Sequence, residues 1–289
     1  VPSMSQVVEV KTLKERQQGI EKSLNTQTPE LDAGQANWEK TQVLWTVLQP
    51  AKVEAQNGTE LKIQKDHSVL AVGKIPDKET YTVTLKNVPE GARAFRIEVL
   101  PDNSLPKKGP GRAGNGNFVI TEIIIKADGK EVALQNASAS FEQTQAGEKN
   151  PYKKWNAISA IDGDVKGSTF GWAILPQIGK PQRLVFEVKQ AFSGQPEITF
   201  VLKQDHGTKH TLGRFQVFAT AHGSKVTAGS SVLPKNIAEL LAIAPAKRNA
   251  NQKNALAAHY RTFALELAQA RKVLADVKGQ IDRKQKAFP

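Results

Sequence analysis

Tyr81-Thr82-Val83-Thr84-Leu85 alternates apolar and polar side chains at every step, and Phe95-Arg96-Ile97-Glu98-Val99 repeats the pattern soon after. A period of two puts all the apolar side chains on one face of an extended chain, so each segment reads as a half-buried strand. The residues between them, Asn87-Val88-Pro89-Glu90-Gly91, are turn material, because Pro and Gly punctuate regular structure.

Outward from this pair the reading repeats. Candidate strands are Glu60–Lys65, Phe118–Lys126, Glu131–Phe141, Arg183–Val188, Glu197–Lys203 and Thr211–Ala219. Turn signals separate them at Lys108-Gly109-Pro110-Gly111, Asp128-Gly129 and Ser193-Gly194. Many short strands with frequent turns and no helices between them predict a mainly β zone over residues 43–222, folded as an antiparallel β-sandwich or jelly roll.

The flanks change period. Over residues 1–42, Val10, Leu13, Ile20 and Leu24 fall at helical spacing among charged and amide side chains. Thr28-Pro29-Glu30 then reads as an N-cap followed by Pro at the first helical position. The second helix is expected to carry Leu31 and Trp38 toward the β zone, and the two helices to form a hairpin. Over residues 223–289, Pro234 starts a short helix through Ile243, Pro245 ends it, and one long helix follows. Its apolar positions are Leu256, Tyr260, Phe263, Leu267, Ala270, Leu274, Val277 and Ile281, with gaps alternating four and three, the seam of a coiled coil. Such a seam needs a partner. Antiparallel pairing with the amino-terminal helices gives a helical, coiled-coil stalk that brings the chain ends together; self-association is the competing use.

Composition bounds the function. The chain has 289 residues, 39% of them hydrophobic, enough for one or two packed cores. No apolar run approaches the roughly 18 to 20 residues of a membrane span. The amino end, Val1-Pro2-Ser3-Met4, has no basic region leading into an apolar run and does not open on Met, so a processed or excised piece of a longer protein is expected. The absence of cysteine removes disulfides, thiolate metal sites and c-type haem attachment from this chain. A net charge of +12 favours polyanionic partners such as acidic polysaccharide, nucleic acid or anionic lipid. The basic residues are dispersed, however, and the densest groups are Lys107-Lys108…Arg112 and Lys149…Lys153-Lys154. A solvated basic surface is the plainer reading. The lack of a dense patch or a recognisable motif counts against nucleic acid.

One further stretch bears on chemistry: Ala157-Ile158-Ser159-Ala160-Ile161-Asp162-Gly163-Asp164, followed by Ser168-Thr169-Phe170-Gly171-Trp172. It resembles the "A-x-D-G-x…T-x-W" turn of discoidin-like domains (coagulation factor 5/8 type C, galactose-binding-like). The strings Leu105–Glu122, Ala157–Trp172 followed by Pro176–Pro181, and Gly207–Phe215 together resemble the galactose-binding-like insert, flanked by helices, of planctomycete-type cytochrome c multidomain proteins. The resemblance implies a galactose-binding-like β-sandwich, an extracytoplasmic location and a sugar- or surface-binding role. With no Cys-x-x-Cys-His, no haem belongs to this chain.

It also implies a structural Ca2+. Calcium takes roughly six to eight oxygen ligands from carboxylates and carbonyls. Asp162, Asp164 and Thr169 lie on one loop, and Glu122 looks like the family's distant glutamate that closes the cage. The loop departs from the commonest spacing at Val165-Lys166-Gly167. The alternative is a plain Asx turn, in which Asp side chains bond local amides. For a carbohydrate ligand, Tyr152 and Trp155 in the basic loop Asn150–Asn156 are the candidate ring-stacking residues, with Lys154 and Arg112 as candidate anion contacts. Packing of Trp155 under its own loop and tight turning around Arg112 are the structural alternatives. His206 and His210 lie in a Gly-containing loop and read as loop polarity rather than a zinc site. No nucleophile elbow or phosphate loop is present. The expectation is a non-enzymatic, extracytoplasmic binding module for carbohydrate, acidic polysaccharide favoured. The alternative is a structural or interaction module that works through its helices without a small ligand.

Overall fold

The computed structural model describes residues 2–143, 155–164, 170–194, 196–229 and 233–288. The chain divides into two compact units, one built from Val1–Gln42 with Val232–Pro289, the other from Val43–Ser231.

The second unit holds the strands. In chain order they are β1 (Thr46–Val47), β2 (Gln49–Ala55), β3 (Thr59–Ile63), β4 (Val69–Gly73), β5 (Glu79–Lys86) and β6 (Ala94–Val99). After a long connection come β7 (Glu122–Ala127), β8 (Lys130–Val132), β9 (Leu134–Ala139), β10 (Gln182–Val188), β11 (Ile198–Gln204) and β12 (Arg214–Thr220). They form two antiparallel sheets. The larger runs β3-β4-β12-β6-β10-β9, with β1 also paired to β12, and the smaller runs β2-β5-β11-β7-β8.

The alternation in β5 is what its place requires. Tyr81, Val83 and Leu85 are buried, while Thr82 and Thr84 are only partly covered. Its neighbour β11 buries Ile198, Phe200 and Leu202 in the same way. One apolar cluster draws on both sheets. Phe200 of the smaller sheet meets Phe95 of the larger edge-on, with ring centroids 5.3 Å apart, and lies 6.2 Å from Phe186.

Several details differ from the sequence reading. β2 contains Pro50 and breaks register between Pro50 and Lys52; as an edge strand it tolerates the missing donor. β4 is a short, nearly continuous apolar run, for which periodicity is silent. Phe118–Thr121 is not regular strand; Ile120 bridges to Trp172, and the Val119 and Thr121 amides donate to the His210 and Lys203 carbonyls. The run Glu131–Phe141 splits into β8 and β9, and Asn136 takes a left-handed φ of 56° with its amide donating to Glu187. The unit also extends to Ser231 rather than ending at residue 222. Val226 and Ala228 pack with Ala94 and Val185 of the larger sheet, and their amides donate to Glu187 and Ser138.

The first unit is helical. α1 (Met4–Asn25) opens on a capping box between Ser3 and Gln6. α2 (Pro29–Thr41) starts as its sequence predicts: the Thr28 hydroxyl accepts from the Leu31 amide, and Pro29 takes the first helical position. α3 (Lys235–Leu241), α4 (Ala250–Arg261) and α5 (Ala268–Lys286) follow. α1 packs against α5 and runs antiparallel to it, with ion pairs Glu9–Lys284 and Glu21–Lys278. Leu31 and Trp38 pack within this unit, with Tyr260, Ala264 and Leu267.

The expected single long helix is two. After Arg261 the Thr262 hydroxyl donates to the His259 carbonyl, and the Arg271 guanidinium donates to the carbonyls of Arg261 and Ala264. Those carbonyls no longer extend the helical ladder. Trp38 stacks within 5.8 Å of both Tyr260 and Phe263 at the break. The four-three spacing therefore marks two separate apolar stripes, one ending at Tyr260 and one carrying Val277 and Ile281, not one continuous seam. Among the described residues no helix is long and apolar enough to cross a membrane.

Arg248 and Glu39 form the most covered ion pair of this unit, 2.6 Å apart, and Arg248 also donates to the Ile243 carbonyl. Glu39→Ala strands a buried cation. Urea denaturation followed by helical circular dichroism is expected to show a loss of about 3 kcal/mol.

Candidate functional site

Sheet pairing brings a set of strand ends together. Val99 at the end of β6 lies opposite Gln182 at the start of β10 and Phe215 near the start of β12. Lys203 near the end of β11 lies opposite Glu122 at the start of β7. The connections 100–121, 155–181 and 205–213 leave from these ends, and backbone bonds join them. The Arg112 amide donates to the Thr211 carbonyl at 2.8 Å, Val119 to His210 at 2.9 Å, and Trp172 to Ile120 at 2.9 Å. The Asn117 side chain bridges two further segments, accepting from the Ile174 amide at 3.2 Å and donating to Gln143 at 2.9 Å.

This crowding explains the Gly-rich string. A Cβ at Gly111 would overlap the Asn117 carbonyl, and one at Gly171, whose φ is +144°, would overlap that of Ile120. Both glycines are required by close backbone approach.

The Asp turn sits over the first residue of β7. Glu122 is 3% exposed, and its Oε2 accepts from the Gly163 amide at 3.2 Å. Asp162 and Asp164 are exposed, and the Asp162 Oδ1 accepts from the Asp164 amide at 2.8 Å, an Asx turn. Burial pushes the Glu122 carboxyl up to about 7; the nearby Asp162 charge adds to this and the Gly163 amide opposes it. The structure thus brings Glu122, Asp162 and Asp164 together. Among the described residues no group of three acidic or histidine side chains meets metal-holding geometry. Thr169 lies outside the described residues, as do Tyr152 and Lys154.

Trp155 is not a stacking platform. It is 8% exposed, packs with Val119 and Ala173, and meets His206 edge-on with centroids 4.5 Å apart. His206 in turn lies 5.5 Å from His210. The Trp155 φ of +66° is unusual for a bulky side chain and is held by this packing. A ring buried on these sides cannot offer a face to a sugar. Its pairing with His206 gave no sequence signal, because the two are far apart in the chain. Trp172 is a core residue: it donates to the Phe141 carbonyl at 3.0 Å and packs edge-on against Phe118.

Arg112 is likewise not a ligand contact. It is 4% exposed and donates to the Lys74 carbonyl at 2.9 Å, the Gly73 carbonyl at 2.8 Å and the Thr59 hydroxyl at 3.1 Å. It clamps the Gly-rich connection to the β3–β4 hairpin. Beside it, the fully buried Glu79 accepts from the amides of Asn57, Thr59 and Thr80. No protein-family model and no curated protein matches this sequence.

Two outcomes follow from these geometries. Glu122 binds its proton more tightly when folded, so it contributes no penalty below its ordinary value of 4.5 and a growing one as pH rises to about 7. In chelator, the stability of wild type relative to Glu122→Gln is therefore expected to fall between pH 4.5 and 7 and level off above. Arg112→Met leaves three acceptors without their donor, and is expected to cost about 2 kcal/mol, with faster amide exchange concentrated in β3 and β4.

Proposed function

We propose that the two-sheet unit is a galactose-binding-like β-sandwich that serves as a non-catalytic, extracytoplasmic carbohydrate-binding module of a larger protein, with acidic polysaccharide as the favoured ligand. The observation that carries this reading is the convergence of strand-end connections. The Gly-rich connection, the Asp turn with Trp172, and the 207–215 segment carry the family resemblance, and they are bonded to one another at one set of strand ends. A rigid pair of sheets presenting cross-linked loops is suited to loop-edge recognition, because little ordering is left to be done on binding.

A structural calcium belongs to this reading as a proposal. The three carboxylates do not form a metal-holding group as they stand, but Glu122, Asp162 and Asp164 would supply carboxylate oxygens to one, and a divalent cation would relieve the burial and like-charge repulsion that raise the Glu122 carboxyl. With Trp155 buried and Arg112 engaged, ring stacking falls to Tyr152 and charge contact to Lys154. The net charge of +12 supplies the long-range attraction to an acidic glycan.

The alternative reading, an interaction module acting through its helices, is favoured by one observation: Met4, Val7 and Val8 in the first turns of α1, and Leu265 after α4, are exposed apolar side chains.

A glycan array that includes sulfated and uronic-acid polysaccharides, run with Ca2+ and with chelator at two salt concentrations, separates the readings. Selective, calcium-dependent binding that survives moderate salt is expected, with Tyr152→Ala weakening it about tenfold. Binding that tracks charge density alone, or concentration-dependent self-association in sedimentation without glycan binding, overturns it.

A further inference from the structure

The connection from β6 to β7 begins with a turn that neither the Asp turn nor the core explains. Lys107 and Lys108 are consecutive and both left-handed, with φ of +54° and +53°. Non-glycine residues in this region cost on the order of 1 kcal/mol or more each, and such outliers concentrate where a ligand is held. The turn is fixed by its surroundings. The Lys108 amide donates to the Leu105 carbonyl at 3.0 Å and the Gly109 amide to the Pro106 carbonyl at 3.0 Å. Gly116 of the Gly-rich connection packs directly against it: a Cβ there would stand 2.9 Å from the Pro106 carbonyl and 3.2 Å from the Lys107 Cβ.

Both lysines line an open cleft of about 560 Å3, together with Asp102, Asn103 and Arg214. That volume lies within the range of small-ligand pockets. The charges in the cleft are not equivalent. Arg214 is committed, donating to Asp102 at 3.1 Å and to Asp66 at 2.7 Å. Asp102 is committed too, since its other oxygen accepts from the Ser104 amide and hydroxyl. Lys107 and Lys108 have no ion-pair partner among the described residues. The cleft lining therefore carries three cationic side chains, Arg214, Lys107 and Lys108, against the Asp102 carboxylate, and the two exposed ammonium groups are open to an external anion.

We infer that the Lys107–Lys108 cleft is the subsite for the acidic group, a carboxylate or sulfate ester, of the polysaccharide bound by this module. The inference rests on the carbohydrate-binding reading and moves anion recognition from Arg112 and Lys154 to Lys107 and Lys108. The committed Arg214 and Asp102 form the floor of the subsite, the two lysines hold the anion, and the Asn103 amide is available to ring hydroxyls. Because the turn is held by backbone bonds, the backbone that carries the two lysines is set without a ligand, so that part of the ordering cost of binding is removed in advance.

The test is affinity measurement on the full chain at about 0.15 M salt, where long-range charge effects are screened beyond about 8 Å. The probes are polygalacturonate for the carboxylate arm, dextran sulfate for the sulfate arm and neutral dextran and galactan as controls. The variants are Lys107→Gln/Lys108→Gln and a charge-matched control, Lys14→Gln/Lys22→Gln, on exposed positions of α1. The expected result is a loss of at least tenfold for one acidic probe in the Lys107/Lys108 variant, with neutral-glycan binding unchanged and the α1 variant close to wild type. Equal losses in both variants, or no loss in either, overturn the subsite and leave the carbohydrate reading standing. Binding of neutral glycans alone does the same. Binding of none of the probes overturns both. Thermal unfolding of each variant at the wild-type midpoint verifies that a loss of affinity is not a loss of fold.

Discussion

Everything in the two-sheet unit depends on one contact between its layers. Phe95 and Phe186 come from adjacent strands of the larger sheet, and Phe200 comes from the centre of the smaller one. Their rings form a triangle with centroid separations of 5.3 to 6.2 Å. Each sheet alone would leave one apolar face in water, and burial of such a face is the dominant favourable term in folding. The aromatic triangle, continued by Tyr81 stacked on Phe215 and by Phe118 against Trp172, closes both faces at once. Edge-to-face and offset contacts suit the ring quadrupoles, so the geometry adds to what the buried area supplies.

With the layers joined, the strand ends are placed, and the connections between them have little freedom. The 100–121 connection leaves the larger sheet at Val99 and enters the smaller one at Glu122. Along the way it is bonded to 211–213 by Arg112 and to 172–174 by Ile120 and Asn117. Buried polar groups do the fixing. Arg112 reaches back to the β3–β4 hairpin, and Glu79 gathers the Asn57 and Thr59 amides of the β2–β3 turn together with that of Thr80. An unmade bond at any of these would leave a buried charge or carbonyl unsatisfied. The same closeness puts a buried carboxyl, Glu122, beneath two exposed ones, Asp162 and Asp164. It also leaves Lys107 and Lys108 side by side in an unfavourable backbone region.

The helical unit solves a different problem. Both ends of the chain contribute to it, and its helices gain their stability from packing across the two ends. α1 has one buried residue, Val10, and gains its hold from α5 through packing and two ion pairs. Around Trp38 an aromatic group of His259, Tyr260 and Phe263 fills the space where α4 stops. The break is a packing decision, assisted by Arg271 taking the carbonyls that a continuous helix would have used.

The sequence by itself determined whatever depends on neighbours along the chain. Alternation in 81–85 and 95–99 specified strands with one buried face. Thr28-Pro29 specified a helix start, and Asp162-Gly163-Asp164 specified a turn. These are local choices of backbone and side-chain period, and each is written within a few residues. Only the tertiary structure decided where those faces went. It decided that β5 and β6, neighbours in sequence, belong to different sheets, and that β2 is a strand despite Pro50 because it lies at an edge. It also decided that the regular four-three apolar spacing of 256–281 serves two helices. The same holds for the site. The Glu122–Gly163 bond joins residues far apart in the chain, as do the contacts of Trp155 with His206 and of Arg112 with Gly73. No short-range pattern encodes such pairs, because they exist only once the two sheets have closed on their shared core.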